Sequence, residues 1–178
     1  MIPFFLDKIA HERFQAWWIQ LRDENRLSDR GNSILYLYSI EKILRSRGVK
    51  KVRFRVPPSE NIDWYYKFID RDFFIADKES LKNSLEKSTL VIGPTSTVFL
   101  ESIYYGVNYL VYEPAVNGLD LSGYPPCPPF DGSDGKVFVA KTEEDLSGLL
   151  TKKAMVDKTV FNDYIDTPFN IKVITDKI

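Results

Sequence analysis

The sequence predicts a doubly wound α/β domain of three layers, with a mainly parallel sheet of about five strands. Three observations carry that expectation. Short apolar runs alternate with segments of helical periodicity along most of the chain. Two of the runs, Leu90-Val91-Ile92 and Tyr109-Leu110-Val111, are continuously apolar, as in central strands covered on both faces. At 178 residues the chain has single-domain length. A domain of that size can bury roughly 70% of its unfolded surface without metal or disulfide staples. Residues 1–178 are therefore expected to form one domain.

Segment 9–24 is helical by spacing, with Phe14, Trp17, Trp18 and Leu21 at i, i+3, i+4 and i+7. Its paired tryptophans make a large apolar face. Burial in the domain's own core and contact with a separate partner domain both account for it, and residues 1–30 are where such a partner would pack. Polar residues 25–32 read as a loop. Residues 33–47 read as a helix closed by Gly48, with a strand over Ile34–Tyr38 as the alternative.

Lys51–Val56 alternates Lys51, Arg53 and Arg55 with Val52, Phe54 and Val56, which is a strand with one buried face. Pro57-Pro58 ends it, and Asn61–Asp70 reads as a short aromatic helix. Phe73–Ala76 is a further strand. Lys78–Lys87 is a helix with Leu81 and Leu85 four residues apart. Thr89–Gly93 is a strand, a helix covers 96–105 and stops at Gly106, and Asn108–Glu113 is the next strand. Residues 114–135 form a long loop rich in Pro, Gly and Asp. Lys136–Ala140 is read as a strand and Thr142–Leu150 as an amphipathic helix. The tail from Ala154 to Ile178 is mixed.

Composition narrows the function classes. Lys and Arg total 24 against 25 Asp and Glu, a formal net charge of −1. That balance argues against nucleic acid as a partner. The single cysteine, Cys127, allows no internal disulfide and fits a reducing compartment. It sits between prolines with no histidine near it, so it reads as a structural thiol. The opening Met-Ile-Pro-Phe-Phe-Leu-Asp-Lys is too short and too soon charged for a signal peptide. No apolar run approaches the ~20 residues that cross a bilayer. A cytoplasmic location is expected, with peripheral membrane association left open.

Metal chemistry finds little support. His11 is the single histidine and reads as a surface or helix-packing residue; with one His and one Cys, no usual zinc site can be assembled. Asp131-Gly132-Ser133-Asp134-Gly135 lacks the alternating ligands and terminal Glu of a calcium loop and reads as a tight turn. Neither a Walker loop nor Gly-x-Gly-x-x-Gly is present. Neither metal nor cofactor is expected. Tyr124–Phe130, with four prolines, is stiff and extended, and suits either a cover over a cleft or an inert surface loop.

The stretch that carries chemistry is Gly93-Pro94-Thr95-Ser96-Thr97. Pro94 turns the chain at the end of its strand, and three hydroxyls follow around the first helical turn. One of them, Thr95 or Ser96, caps the helix. The others, with amides not used by the helix, are available to an anion. Strand ends of open parallel sheets are where such folds bind ligands, and helix-N-terminal amides suit phosphate. Thr97 and Glu101 are four apart and share a helical face. A carboxylate there repels phosphate but accepts hydrogen bonds from a sugar diol. Plain capping with a solvated Glu101 explains one hydroxyl well and three poorly.

The run from Leu90 to Pro114 resembles the C-terminal half of bacterial GT-B glycosyltransferases, with its strand, Ser/Thr pair, helical Glu, Gly and following strand. The nearest likeness is to sialyltransferase-like enzymes and those of capsule or lipopolysaccharide polysaccharide synthesis. The resemblance implies a Rossmann-like domain, one half of a GT-B fold, that holds the nucleotide of an activated sugar. Carried over by position, Ser96 and Thr97, with Thr95 beside them, correspond to the donor-phosphate contacts and Glu101 to the acidic residue at the ribose. Arg53-Phe54-Arg55-Val56-Pro57-Pro58 is similar to the basic strand before His-Pro in those enzymes, with Pro57 where the His stands. Arg55 offers compensating charge, since guanidinium matches phosphate geometry; a solvated strand face is the plain alternative for Arg53 and Arg55. The acceptor half, which commonly supplies the base, would come from an N-terminal domain or a partner chain. No catalytic residue is assigned. The expected substrate is a nucleotide sugar, and the alternative is an inactive α/β interaction module that keeps the half-fold.

Overall fold

The computed structural model describes residues 28–56, 60–116, 119–120, 128 and 130–160. The chain divides into two compact units, Met1–Lys78 and Glu79–Ile178. The expected Trp17-Trp18 helix, His11, Pro57, Cys127 and residues 161–178 lie outside the described residues.

In the first unit, helix α1 spans Ser28–Ser46. It starts inside the predicted loop because Gly31 extends the buried stripe of Ile34, Leu37, Ile40 and Ile43 by one turn. That spacing of three rules out the strand alternative at Ile34–Tyr38. The helix ends where predicted: Gly48 takes φ +79°, and the amide of Val49 reaches back to the carbonyl of Leu44 at 3.1 Å. Strand β1 (Val52–Phe54) and strand β2 (Phe74–Ala76) pair in parallel, Val52 opposite Phe74 and Phe54 opposite Ala76.

Helix α2 (Ile62–Tyr65) lies between them, capped by the side chain of Asn61 on the amide of Asp63. It is shorter than the predicted Asn61–Asp70 because the chain continues as turns to Ile69. Phe54 meets Tyr65 and Phe74 edge-to-face at 5.5 and 5.7 Å. The Tyr66 hydroxyl then closes the second edge of β2. It donates to the carbonyl of Phe74 at 3.0 Å and accepts from the amide of Ala76 at 2.9 Å. Those two groups would otherwise present a strand edge to any passing chain.

The second unit contains helix α3 (Leu81–Glu86), strand β3 (Leu90–Gly93), helix α4 (Val98–Tyr104), strand β4 (Asn108–Tyr112), the short antiparallel pair β5 (Ala115–Val116) and β6 (Leu119–Asp120), strand β7 (Val139–Ala140) and helix α5 (Glu143–Lys152). Strands β3, β4 and β7 form a parallel sheet in the order β3-β4-β7, with Leu90 opposite Asn108 and Val111 opposite Val139. Every residue of β4 is buried. Phe99 and Ile103 of α4 pack with Tyr109, Val111, Val137, Val156 and Val160 into one apolar cluster.

Gly106 stops α4 at φ +72°, a conformation that costs other residues a clash at Cβ. Helix α5 opens with the reciprocal bonds of Thr142 and Asp145. The side chain of Asn108 ties the segment beyond α5 to the start of β4. Its Nδ2 donates to the carbonyl of Ala154 at 2.8 Å, and its Oδ1 accepts from the amide of Val156 at 2.9 Å.

The fold is thus mixed α/β with parallel strands, as predicted, but among the described residues the single sheet of about five strands is not formed. The five parallel strands fall into a two-stranded and a three-stranded sheet. A three-residue apolar run carries the same local signature at an edge as at a centre, so the pattern does not encode its neighbour. Strand β3 shows this. Among the described residues it pairs with β4 alone, and its Leu90, Val91 and Ile92 are half-buried rather than enclosed. The predicted loop 114–135 holds the β5–β6 pair, and the predicted strand Lys136–Ala140 narrows to two residues.

Candidate functional site

The corner after β3 is built by β4. Tyr109 points from β4 toward the turn and donates its hydroxyl to the carbonyl of Pro94 at 2.7 Å. This bond needs a glycine at position 93, because a Cβ there would overlap the Tyr109 hydroxyl. Directly after β4, Glu113 sends its carboxylate to the same turn, and the Thr95 amide donates to its Oε1 at 2.5 Å. Glu113 is 5% exposed. Among the described residues no cation pairs with it. Burial first, and the nearby Glu113 charge second, hold the Tyr109 phenol well above its usual range.

The hydroxyls differ from one another. Thr95 and Thr97 are exposed, while Ser96 is half-buried and accepts from the amide of Val98 at 3.2 Å. Ser96 is therefore the capping hydroxyl, and helix α4 starts at Val98 rather than near Ser96. Thr97 sits at the cap position without a side-chain bond. The amides of Phe99, Leu100 and Glu101 close onto the carbonyls of Ser96 and Thr97 at 3.0 to 3.4 Å. Only the consecutive amides of Ser96 and Thr97 are left at the corner without a partner among the described residues. Glu101, exposed, stands one turn along α4 from Thr97.

Thr95, Ser96, Thr97 and Glu101 thus belong to one turn and helix of the second unit. Arg55 belongs to the first, where its guanidinium lies 3.9 Å from the carboxylate of Asp77. The Asp77 side chain is 7% exposed.

Glu113 is the residue that sequence reading missed as part of the corner. The signal was present: a lone acid directly after the run Tyr109-Leu110-Val111-Tyr112, and before a proline. Such a position places a carboxylate at the carboxyl end of a parallel strand, where it reaches the neighbouring turn. Its presence changes the chemistry on offer. A second unit charge about 5 Å away, at an effective dielectric near 20, is opposed by about 3 kcal/mol. The Thr95 amide is already occupied by an anion of the protein itself. The amides of Ser96 and Thr97 have no partner among the described residues. No protein-family model, curated protein or solved structure matches this chain.

Proposed function

We propose that this chain is the donor-nucleotide half of a GT-B-type glycosyltransferase serving surface polysaccharide synthesis. The observation that carries the reading is the pair of amides at Ser96 and Thr97, unpartnered among the described residues, beside the exposed hydroxyls of Thr95 and Thr97 at the carboxyl end of β3. In this reading the donor phosphate sits on those two amides and the Thr97 hydroxyl. Charge that builds on the leaving nucleotide as the glycosidic bond breaks is met by fixed donors, which need no reorganisation. Glu101 takes the ribose diol, and an acceptor half or partner chain supplies the base.

Calorimetry with uridine, cytidine, guanosine and adenosine mono- and diphosphates tests the proposal. One base is expected to bind, and Thr97→Ala combined with Glu101→Ala is expected to weaken it by at least about tenfold, or ~1.4 kcal/mol. The reading fails if no nucleotide binds and the double variant changes nothing. A second reading, an α/β interaction module without transferase chemistry, is favoured by the Glu113 carboxylate on the Thr95 amide, which satisfies part of the corner internally. That module would ignore every nucleotide of the panel.

A further inference from the structure

The exposed large apolar side chains of the second unit, Tyr104, Tyr105 and Met155, gather at the end where β4 begins. Tyr104 and Tyr105, 66% and 37% exposed, close α4 with their rings edge-to-face at 5.2 Å. Met155, 60% exposed, is brought to the same end because Asn108, the first residue of β4, bonds both of its neighbours, Ala154 and Val156. The Lys158 Nζ lies 3.6 Å from where a Cβ on Gly106 would stand. Lys152 and Lys153 finish α5 here too, since the Ala154 amide still reaches the Leu149 carbonyl at 3.1 Å. The Thr95 corner lies at the opposite end, because β3 runs parallel to β4.

Lys152, Lys153 and Lys158 are exposed and form no ion pair among the described residues. The acid nearest in sequence, Asp157, spends its carboxylate on the amide and hydroxyl of Thr159 at 2.9 and 2.8 Å. Lys87, before β3, is cancelled by Glu79 at 2.7 Å. Glu101 stands one turn back along α4, toward the corner. Lysines at a helix end also complement its dipole, which accounts for Lys152 but not for Lys158 or the exposed Tyr104 and Met155.

We propose that this end of the second unit docks on an anionic bilayer surface, with the lysines at lipid headgroups and Tyr104, Tyr105 and Met155 at the interface. Tyrosine favours the headgroup level, where its ring is apolar and its hydroxyl wet. Each lysine near an anionic leaflet strengthens binding about fivefold. A stable protein partner needs roughly 800 Å² from each side, more than three apolar side chains supply. A second copy facing the same patch would set lysine against lysine. The docking needs no nucleotide and stands whether or not the corner holds a donor.

The test is co-sedimentation of the whole chain with vesicles of phosphatidylcholine alone and of phosphatidylcholine mixed equally with phosphatidylglycerol. Binding is expected to the mixed vesicles only, and to fall steeply between about 0.1 M and about 1 M salt. Lys152→Gln with Lys158→Gln is expected to weaken it by at least about tenfold and to flatten its salt dependence. Tyr104→Ser with Met155→Ser should weaken binding and leave the salt dependence in place. All four positions are exposed, so the variants should keep the native melting curve. Equal pelleting with both vesicles, no pelleting, or binding untouched by either pair of substitutions overturns the proposal. So does a concentration-dependent dimer in sedimentation velocity that either pair abolishes, which would assign the patch to a second copy of the chain.

Discussion

The two units end their parallel strands on buried acids, and they treat them differently. After β2, Asp77 has the Arg55 guanidinium within 3.9 Å, an ion pair across neighbouring strand ends. After β4, Glu113 has the Thr95 amide and, among the described residues, no cation. A paired acid is a structural tie whose charge is largely cancelled. The acid held by the Thr95 amide has no countercharge beside it among the described residues. The units also use tyrosine hydroxyls differently. Tyr66 seals a strand edge, whereas Tyr109 anchors the turn at a strand end. Similar residues thus close one unit and leave the other with an exposed polar corner.

The most damaging way to break the contrast is Asn108→Ala in the second unit. It strips partners from the carbonyl of Ala154 and the amide of Val156 and opens a cavity at the start of β4. A loss of about 3 kcal/mol in urea unfolding is expected, at the upper end for a buried group left unpaired. Gly93→Ala comes next, at about 2 kcal/mol, because the added methyl must push the Tyr109 ring off the Pro94 carbonyl. Its effect should reach the Thr95 amide resonance as well as the unfolding curve. Tyr66→Phe in the first unit should cost only about 1 kcal/mol. It leaves the Phe74 carbonyl and Ala76 amide at an edge that water can reach.

The smallest expected effect is a pH response belonging to the second unit. Tyr109 is raised in the folded state, mainly by burial and then by the Glu113 charge. Its contribution is complete below the unfolded tyrosine value of about 10 and is lost as the pH climbs toward the folded value. Native protein should therefore lose stability above about pH 10 more steeply than Tyr109→Phe, compared by thermal melts across alkaline buffers. Equal slopes would remove Tyr109 as the source.

Much of the local architecture was legible in the chain. The strand at β4 announced itself through a continuous apolar run, α5 through the amphipathic stretch Thr142–Leu150, and the helix ends through Gly48 and Gly106. Boundaries drifted where a polar stretch masked a helix, as at Ser28–Asn32. The Thr95-Ser96-Thr97 turn was also readable, because Pro94 after a strand forces a corner. What could not be read was how the corner's donors are shared out. That Ser96 caps, that Thr97 does not, and that Glu113 takes the Thr95 amide depends on β4 lying beside β3 in one register.

The amino-acid order by itself determined the alternation of strand and helix, the parallel character that follows from it, and the hydroxyl turn after Pro94. Hydrophobic period and turn chemistry act over a few residues, so they survive without knowledge of the whole. Only the tertiary structure decided that five parallel strands divide between two sheets and that a buried carboxylate faces the turn. Both depend on which segments lie side by side across many intervening residues, and strand pairing uses backbone groups that every sequence shares.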